Sequence, residues 1–222
     1  MKHGSSFLAL GALLAGCSGG EESRIVEVPP NLRQVTRVVP AVTERYPFAE
    51  VSRLRVGQWA RYAEGDRTFT LAVVGKAGED VWIELIEERE TREVSARLVS
   101  PGGIVRKALF REISPQGPSD VVEQRIDRAE GPPARPAVDG SREGERVTVK
   151  VGGRDLACRQ GISWWTGEAD GRRYSVSRLW SPEVPPVYEG SEWGGLVRRK
   201  SDRESTELVD FGTDARPLVP VR

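Results

Sequence analysis

The chain has 222 residues, 38% hydrophobic and 30% charged, with 33 lysines and arginines against 33 aspartates and glutamates. That composition suits a folded domain with one sizeable core, and the balanced charge gives no basis for expecting nucleic acid as a partner. The one histidine is His3, so everything after it lacks imidazole, which excludes histidine general bases, Ser-His-Asp and Cys-His nucleophiles and the usual zinc sites.

The chain opens with Lys2, then a short apolar run over residues 7–14 that ends in Leu14-Ala15-Gly16-Cys17. Residues 1–16 read as a secretory signal, because the run is too short for the ~20 apolar residues a membrane span needs. The tetrapeptide resembles the lipobox of bacterial lipoproteins. The resemblance implies cleavage before Cys17, a diacylglyceryl group on its thiol, and acylation of the new amine. Ser18 stands where an aspartate would favour retention in the inner membrane. The resemblance therefore implies an outer-membrane lipid anchor, facing the periplasm or the cell surface. Each buried methylene contributes about 0.8 kcal/mol, so two or three acyl chains hold a domain at a membrane where one would not.

Residues 17–49 read as the lipidated cysteine and a flexible tether. Gly19-Gly20-Glu21-Glu22 is small and acidic, and Pro29, Pro30, Pro40 and Pro47 break regular structure. One helical turn is expected at 42–46. From residue 50 to 213 the texture is that of a β-domain. Residues 68–73 alternate, with Phe69, Leu71 and Val73 on one side. Further strands are expected at 57–62, 81–86, 94–99, 104–110, 121–126, 147–151, 156–165, 174–180, 196–200 and 204–211, separated by Gly, Pro, Asp and Ser. Residues 131–144 carry Pro132, Pro133, Pro136 and Gly140 and are expected to lack regular structure. Residues 214–222 read as a loose tail. About 10–11 short strands with no long helical pattern predict a mostly β barrel or sandwich with little helix.

Six pieces occur in a suggestive order: Gly57-Gln58-Trp59, Val81-Trp82-Ile83-Glu84, Val147-Thr148-Val149 through Cys158, Trp180-Ser181-Pro182-Glu183-Val184-Pro185, Gly195-Leu196-Val197 and Glu207-Leu208-Val209-Asp210-Phe211-Gly212. The set resembles periplasmic lipoproteins with a lipoprotein-localisation-factor-like domain. That resemblance implies a strongly curved antiparallel sheet, an incomplete barrel, with a concave apolar face that holds acyl chains. Such domains place helices in the mouth of the sheet. Here only residues 40–56 and 87–93 could supply one.

The candidate ligand-binding residues are aromatic. Six tryptophans occur, and Trp82, Trp164 and Trp180 are the candidates for the wall of an apolar groove. Trp164 and Trp165 are adjacent, so a strand points them to opposite faces. Trp180 to Pro186 could form a recognition loop, with Pro185 fixing an extended conformation; plain core packing is the competing reading of each. The cluster Glu84, Glu87, Glu88 and Glu90 is read as a solvated hairpin tip before glycosidase or calcium chemistry. Arg172-Arg173 and Arg198-Arg199-Lys200 are read as strand decoration before contacts to anionic head groups. Cys158, flanked by Leu156, is expected as a buried small hydrophobe. With Cys17 lipidated it has no disulfide partner.

The sequence thus predicts no catalytic residues, no metal and no cofactor. It predicts a non-enzymatic membrane-anchored lipoprotein that binds a lipid or acylated protein on the concave face. The alternative is an envelope module with a filled core that docks another protein.

Overall fold

The computed structural model describes residues 39–128, 138–167 and 170–221. The lipobox, Cys17 and most of the proposed tether lie outside the described residues. The chain enters through a two-residue strand β1 (Val42–Thr43) and a single 3-10 turn, Val51–Arg53. An antiparallel meander follows: β2 (Trp59–Glu64), β3 (Arg67–Ala77), β4 (Asp80–Glu88), β5 (Arg92–Val99) and β6 (Val105–Ser114). Three short pieces come next, β7 (Gly117–Pro118), β8 (Val122–Glu123) and β9 (Ile126–Asp127). A second meander completes the fold: β10 (Gly140–Val151), β11 (Arg154–Thr166), β12 (Arg173–Ser181), β13 (Gly195–Ser201) and β14 (Ser205–Gly212).

The last strand pairs antiparallel with β2, so the two meanders fuse into one open sheet of twelve strands. Its order is β10-β11-β12-β13-β14-β2-β3-β4-β5-β6-β7, with β8 also against β6, and it does not close into a barrel. The mostly β, nearly helix-free architecture matches the expectation, with one or two strands more than counted. Turn chemistry sets the hairpins. Gly152 and Gly153, at φ +53° and +82°, form the two-residue turn between β10 and β11, a conformation that favours glycine.

Alternation dictates two faces. On β3, Phe69, Leu71 and Val73 point into the larger core, and Ala72 and Val74 into a smaller one. On β4, Val81 and Ile83 belong to the first and Trp82 to the second. We call the side of the larger core the inner face. Strands buried on both sides need covering layers, and the chain supplies both from segments without long strands.

The inner face is covered from the N-terminal side. Val42, Tyr46, Val51 and Leu54 are all buried there. Residues 42–49, read from the sequence as part of a flexible tether, are instead packed on the sheet, because Val42, Tyr46, Phe48 and Ala49 lie in or against the larger core. The turn expected at 42–46 is also absent. Val42–Thr43 pairs in parallel with β9 instead, and Arg45 bridges to Ile104.

The outer face is covered by the C-terminal segment. Residues 214–221, read from the sequence as loose, lie against Trp82, Val94 and Ala96, with Val219 completely buried. Trp59 Nε1 donates to Asp214 at 2.8 Å, and Ala215 N–H to the Gly57 carbonyl at 2.9 Å. Prolines 217 and 220 gave the stretch the look of a tail. They also keep it extended, which suits a strap without ladder hydrogen bonds. Part of the expected loop at 131–144 is likewise regular, since β10 begins at Gly140.

Candidate functional site

The inner face carries a cluster of aromatic side chains, where the sequence reading expected a ligand on the concave face of the sheet. Tyr62 of β2 is completely buried, and its ring lies 5.5 Å from Phe69 and 5.0 Å from Tyr188, centroid to centroid. Tyr188 also meets Phe69 edge-on at 5.2 Å and Phe48 at 5.8 Å, and Phe48 meets Tyr46 at 5.4 Å. Such rings gain beyond their area when offset or edge-on. Five aromatic residues from four separate segments thus form one plug: Tyr46 and Phe48 from the entry segment, Tyr62 from β2, Phe69 from β3 and Tyr188 from the β12–β13 connection. Burial pushes the phenols of Tyr46 and Tyr62 well above their ordinary range and raises that of Tyr188, so none is suited to act as an acid or base near neutral pH.

One residue locks the plug. Glu189 has φ +40°, a left-handed conformation that costs a residue with a side chain about 1 kcal/mol or more. Its N–H donates to the Phe48 carbonyl at 2.6 Å, and its own carbonyl accepts from Trp180 Nε1 at 2.8 Å. Its carboxylate accepts from Arg178 Nε at 2.8 Å and lies 3.7 Å from Arg199. Arg178 and Arg199 are directly opposed across β12 and β13, a like-charge pair that is unfavourable unless bridged. We therefore expect Glu189→Ala to lower stability by about 1–3 kcal/mol, and Glu189→Gln by less. Urea unfolding of both variants measures this, and equal, negligible losses would show that the lock is incidental.

The candidate wall residues do not converge. Trp82 lies on the outer face, 2% exposed beneath the C-terminal strap. Trp164 stands on β11 over Gly140 of β10, its cross-strand partner, and Arg173 stacks on it at 5.0 Å. Trp180 packs against the larger core, edge-on to Trp193 at 5.5 Å. Pro185 is buried in the β12–β13 connection, close to Gly195. Of the four, only Trp180 and Pro185 adjoin the plug, and they belong to its support. Glycine makes room for the tryptophan: a Cβ on Gly161 would sit 2.7 Å from the Trp180 ring. Gly161→Ala should accordingly cost about 1–3 kcal/mol, read as a lowered thermal midpoint; an unchanged midpoint would mean that Trp180 is free to move.

The acidic cluster also resolves differently from its expectation. Glu84 is completely buried, not solvated. Its carboxylate accepts the Leu218 N–H at 2.9 and 3.1 Å and the Val219 N–H at 2.8 Å, which straps the C-terminal segment to the sheet. Burial outweighs those bonds and holds its carboxyl above the usual carboxylate range. Glu88 pairs with Arg61 and Arg92. Arg97 is a largely desolvated guanidinium, 5.8 Å from the Phe48 ring, beside a cleft of about 120 Å³ that Leu85, Phe110 and Gln124 also line. Cys158 is a free, buried thiol that burial pushes up in pKa, as expected of a packing residue. Among the described residues no group of three His, Cys, Asp or Glu is placed to hold a metal, and no helix is long and apolar enough to cross a membrane.

Sequence reasoning missed Tyr188 and Glu189. Nothing local marks a glutamate for positive φ, and the ring partners of Tyr188, namely Phe48, Tyr62 and Phe69, lie more than 100 residues away in the chain.

No family model matches the chain, and no curated protein matches it significantly. Among solved structures, a 2.0 Å structure of a hypothetical protein from Chlamydia trachomatis is similar at a TM-score of 0.45 and 12% identity, over 78% of this chain and 95% of that one.

Proposed function

We propose that this chain is a non-enzymatic, lipid-tethered module of the bacterial envelope that works by holding a partner at its surface. In this reading Cys17 carries the acyl chains, and the domain stands in the periplasm on an outer-membrane anchor. The observation that supports it over a lipid carrier is the plug. Tyr46, Phe48, Tyr62, Phe69 and Tyr188 occupy the face that an acyl chain would need. Opening that face would mean breaking the Glu189 lock and exposing several rings, each worth about 1.5–3 kcal/mol of burial. An acyl chain would have to return all of that. The lack of histidine beyond His3 supports a role without histidine chemistry.

The tether is tested by metabolic labelling with a palmitate analogue. The wild-type chain should take up label and Cys17→Ser should not; an unlabelled wild type would remove the anchor. Photo-crosslinking in intact envelopes tests the second half. Cross-linkers at exposed sheet positions should trap a discrete protein or cell-wall adduct, and a protein that crosslinks only to lipid would favour the carrier.

A further inference from the structure

Trp165 of β11 and Tyr174 of β12 are directly opposed across the ladder. Their rings lie 5.8 Å apart with planes 20° from parallel. Both are only partly buried, and neither belongs to a core cluster. The Arg203 guanidinium lies 5.6 Å from the other partner of this stack, the Tyr174 ring. Asp170 accepts the Tyr174 hydroxyl at 2.5 Å, which fixes the ring's orientation. Beside the stack is a cleft of about 270 Å³ whose far wall is the β13–β14 turn, with Ser201, Asp202, Arg203 and Glu204. That wall is preformed: the Ser201 hydroxyl accepts the N–H groups of Arg203 and Glu204 at 3.3 and 3.0 Å.

A cross-strand aromatic pair explains why Trp165 and Tyr174 face each other. It does not explain the cleft beside them, whose lining also includes Arg199. The charges on that cleft point to the kind of occupant. Arg199 and Arg203 stand against Asp202 and Glu204, so the lining is balanced and an ionic ligand would meet as much repulsion as attraction. The occupant that fits has a flat apolar face for the indole and neutral groups that both donate and accept around its edge. A pyranose ring has these features. Its axial C–H bonds stack on an aromatic face, and its hydroxyls take guanidinium N–H bonds and give bonds to carboxylates. At about 270 Å³ the cleft suits one ring of a chain better than an extended peptide, which needs a longer groove. Its balanced charge likewise fits a bilayer surface less well than a basic patch would.

We propose that this cleft binds a pyranose unit of a glycan, with Trp165 as the stacking platform and Arg203 as the polar clamp. The inference stands whether or not Cys17 is acylated. The test is calorimetric and fluorescence titration of the full chain carrying Cys17→Ser. The probes are the β-1,4-linked N-acetylglucosamine tetramer, cellotetraose, a proline-rich decapeptide and phosphatidylcholine–phosphatidylglycerol vesicles. At least one tetrasaccharide should bind saturably. Trp165→Ala should weaken it by about tenfold or more and Arg203→Ala by about threefold or more. Arg203 is at the surface of a turn, so its variant keeps the test valid if Trp165→Ala fails to fold. No saturable response to either sugar, binding that both variants leave unchanged, or a response to the peptide or the vesicles alone would each overturn the assignment.

Discussion

Glu84→Ala should release the C-terminal strap. Two backbone N–H groups, of Leu218 and Val219, lose the carboxylate that accepts them. If the strap stays, those donors remain buried and unpaired, at about 1–3 kcal/mol each. If it leaves, Val219 is exposed and so is Trp82, now 2% accessible. Either route costs about 2–6 kcal/mol, and in the second water satisfies the donors. The expected readouts are a red shift of tryptophan emission and carboxypeptidase trimming past Val219. Normal emission with a protected C terminus would show that the carboxylate does not hold the strap. The pH dependence distinguishes the carboxylate from its shape. Burial raises the folded-state pKa of Glu84 above its unfolded value. Its contribution is therefore fully present below the ordinary carboxylate pKa and lost as pH rises through the higher folded value. Compared with Glu84→Gln, which does not titrate, the wild type should gain relative stability on mild acidification from neutral pH. Urea midpoints of the two proteins at pH 7 and pH 5 test the sign, and a constant difference would contradict it.

Tyr62→Ala should be the most damaging single truncation. The ring is completely buried and touches both Phe69 and Tyr188. Removing it leaves a cavity at the centre of the plug, where rigid strands on one side cannot collapse. The loss should be about 3–5 kcal/mol. Tyr62→Phe separates the ring from its hydroxyl, which donates to the Leu196 carbonyl at 3.2 Å. That bond is long, and its removal should cost about 1 kcal/mol or less. If Tyr62→Phe proved as costly as Tyr62→Ala, the hydroxyl and not the packing would carry the residue's effect.

Local pattern and long-range contact divide what the sequence revealed from what it hid. Phe69, Leu71 and Val73 alternate, and Gly152-Gly153 sits between alternating runs; both signals are local, and both appear as read. The β14–β2 pairing that fuses the meanders joins residues about 150 positions apart, and no local signal encodes it. Glu84 looked solvated because Glu87, Glu88 and Glu90 stand nearby. Its position on the Trp82–Ile86 side of β4, under a strap from residues 218 and 219, decided otherwise. The wall residues failed for a related reason. A strand alternates its side chains, so Trp82 had to leave the inner face once Val81 and Ile83 entered it. That much was legible. Which covering layer would take Trp82 was not.

The central claim is that the inner face is filled by the chain's own rings. Native mass spectrometry of the protein lacking residues 1–17, purified from bacteria, tests it most directly, alongside titration with a fluorescent fatty acid. The account predicts the mass of the bare polypeptide and no saturable binding of the fatty acid. A co-purified lipid, or a fatty acid that binds and is displaced from a site containing Tyr62 or Tyr188, would contradict it.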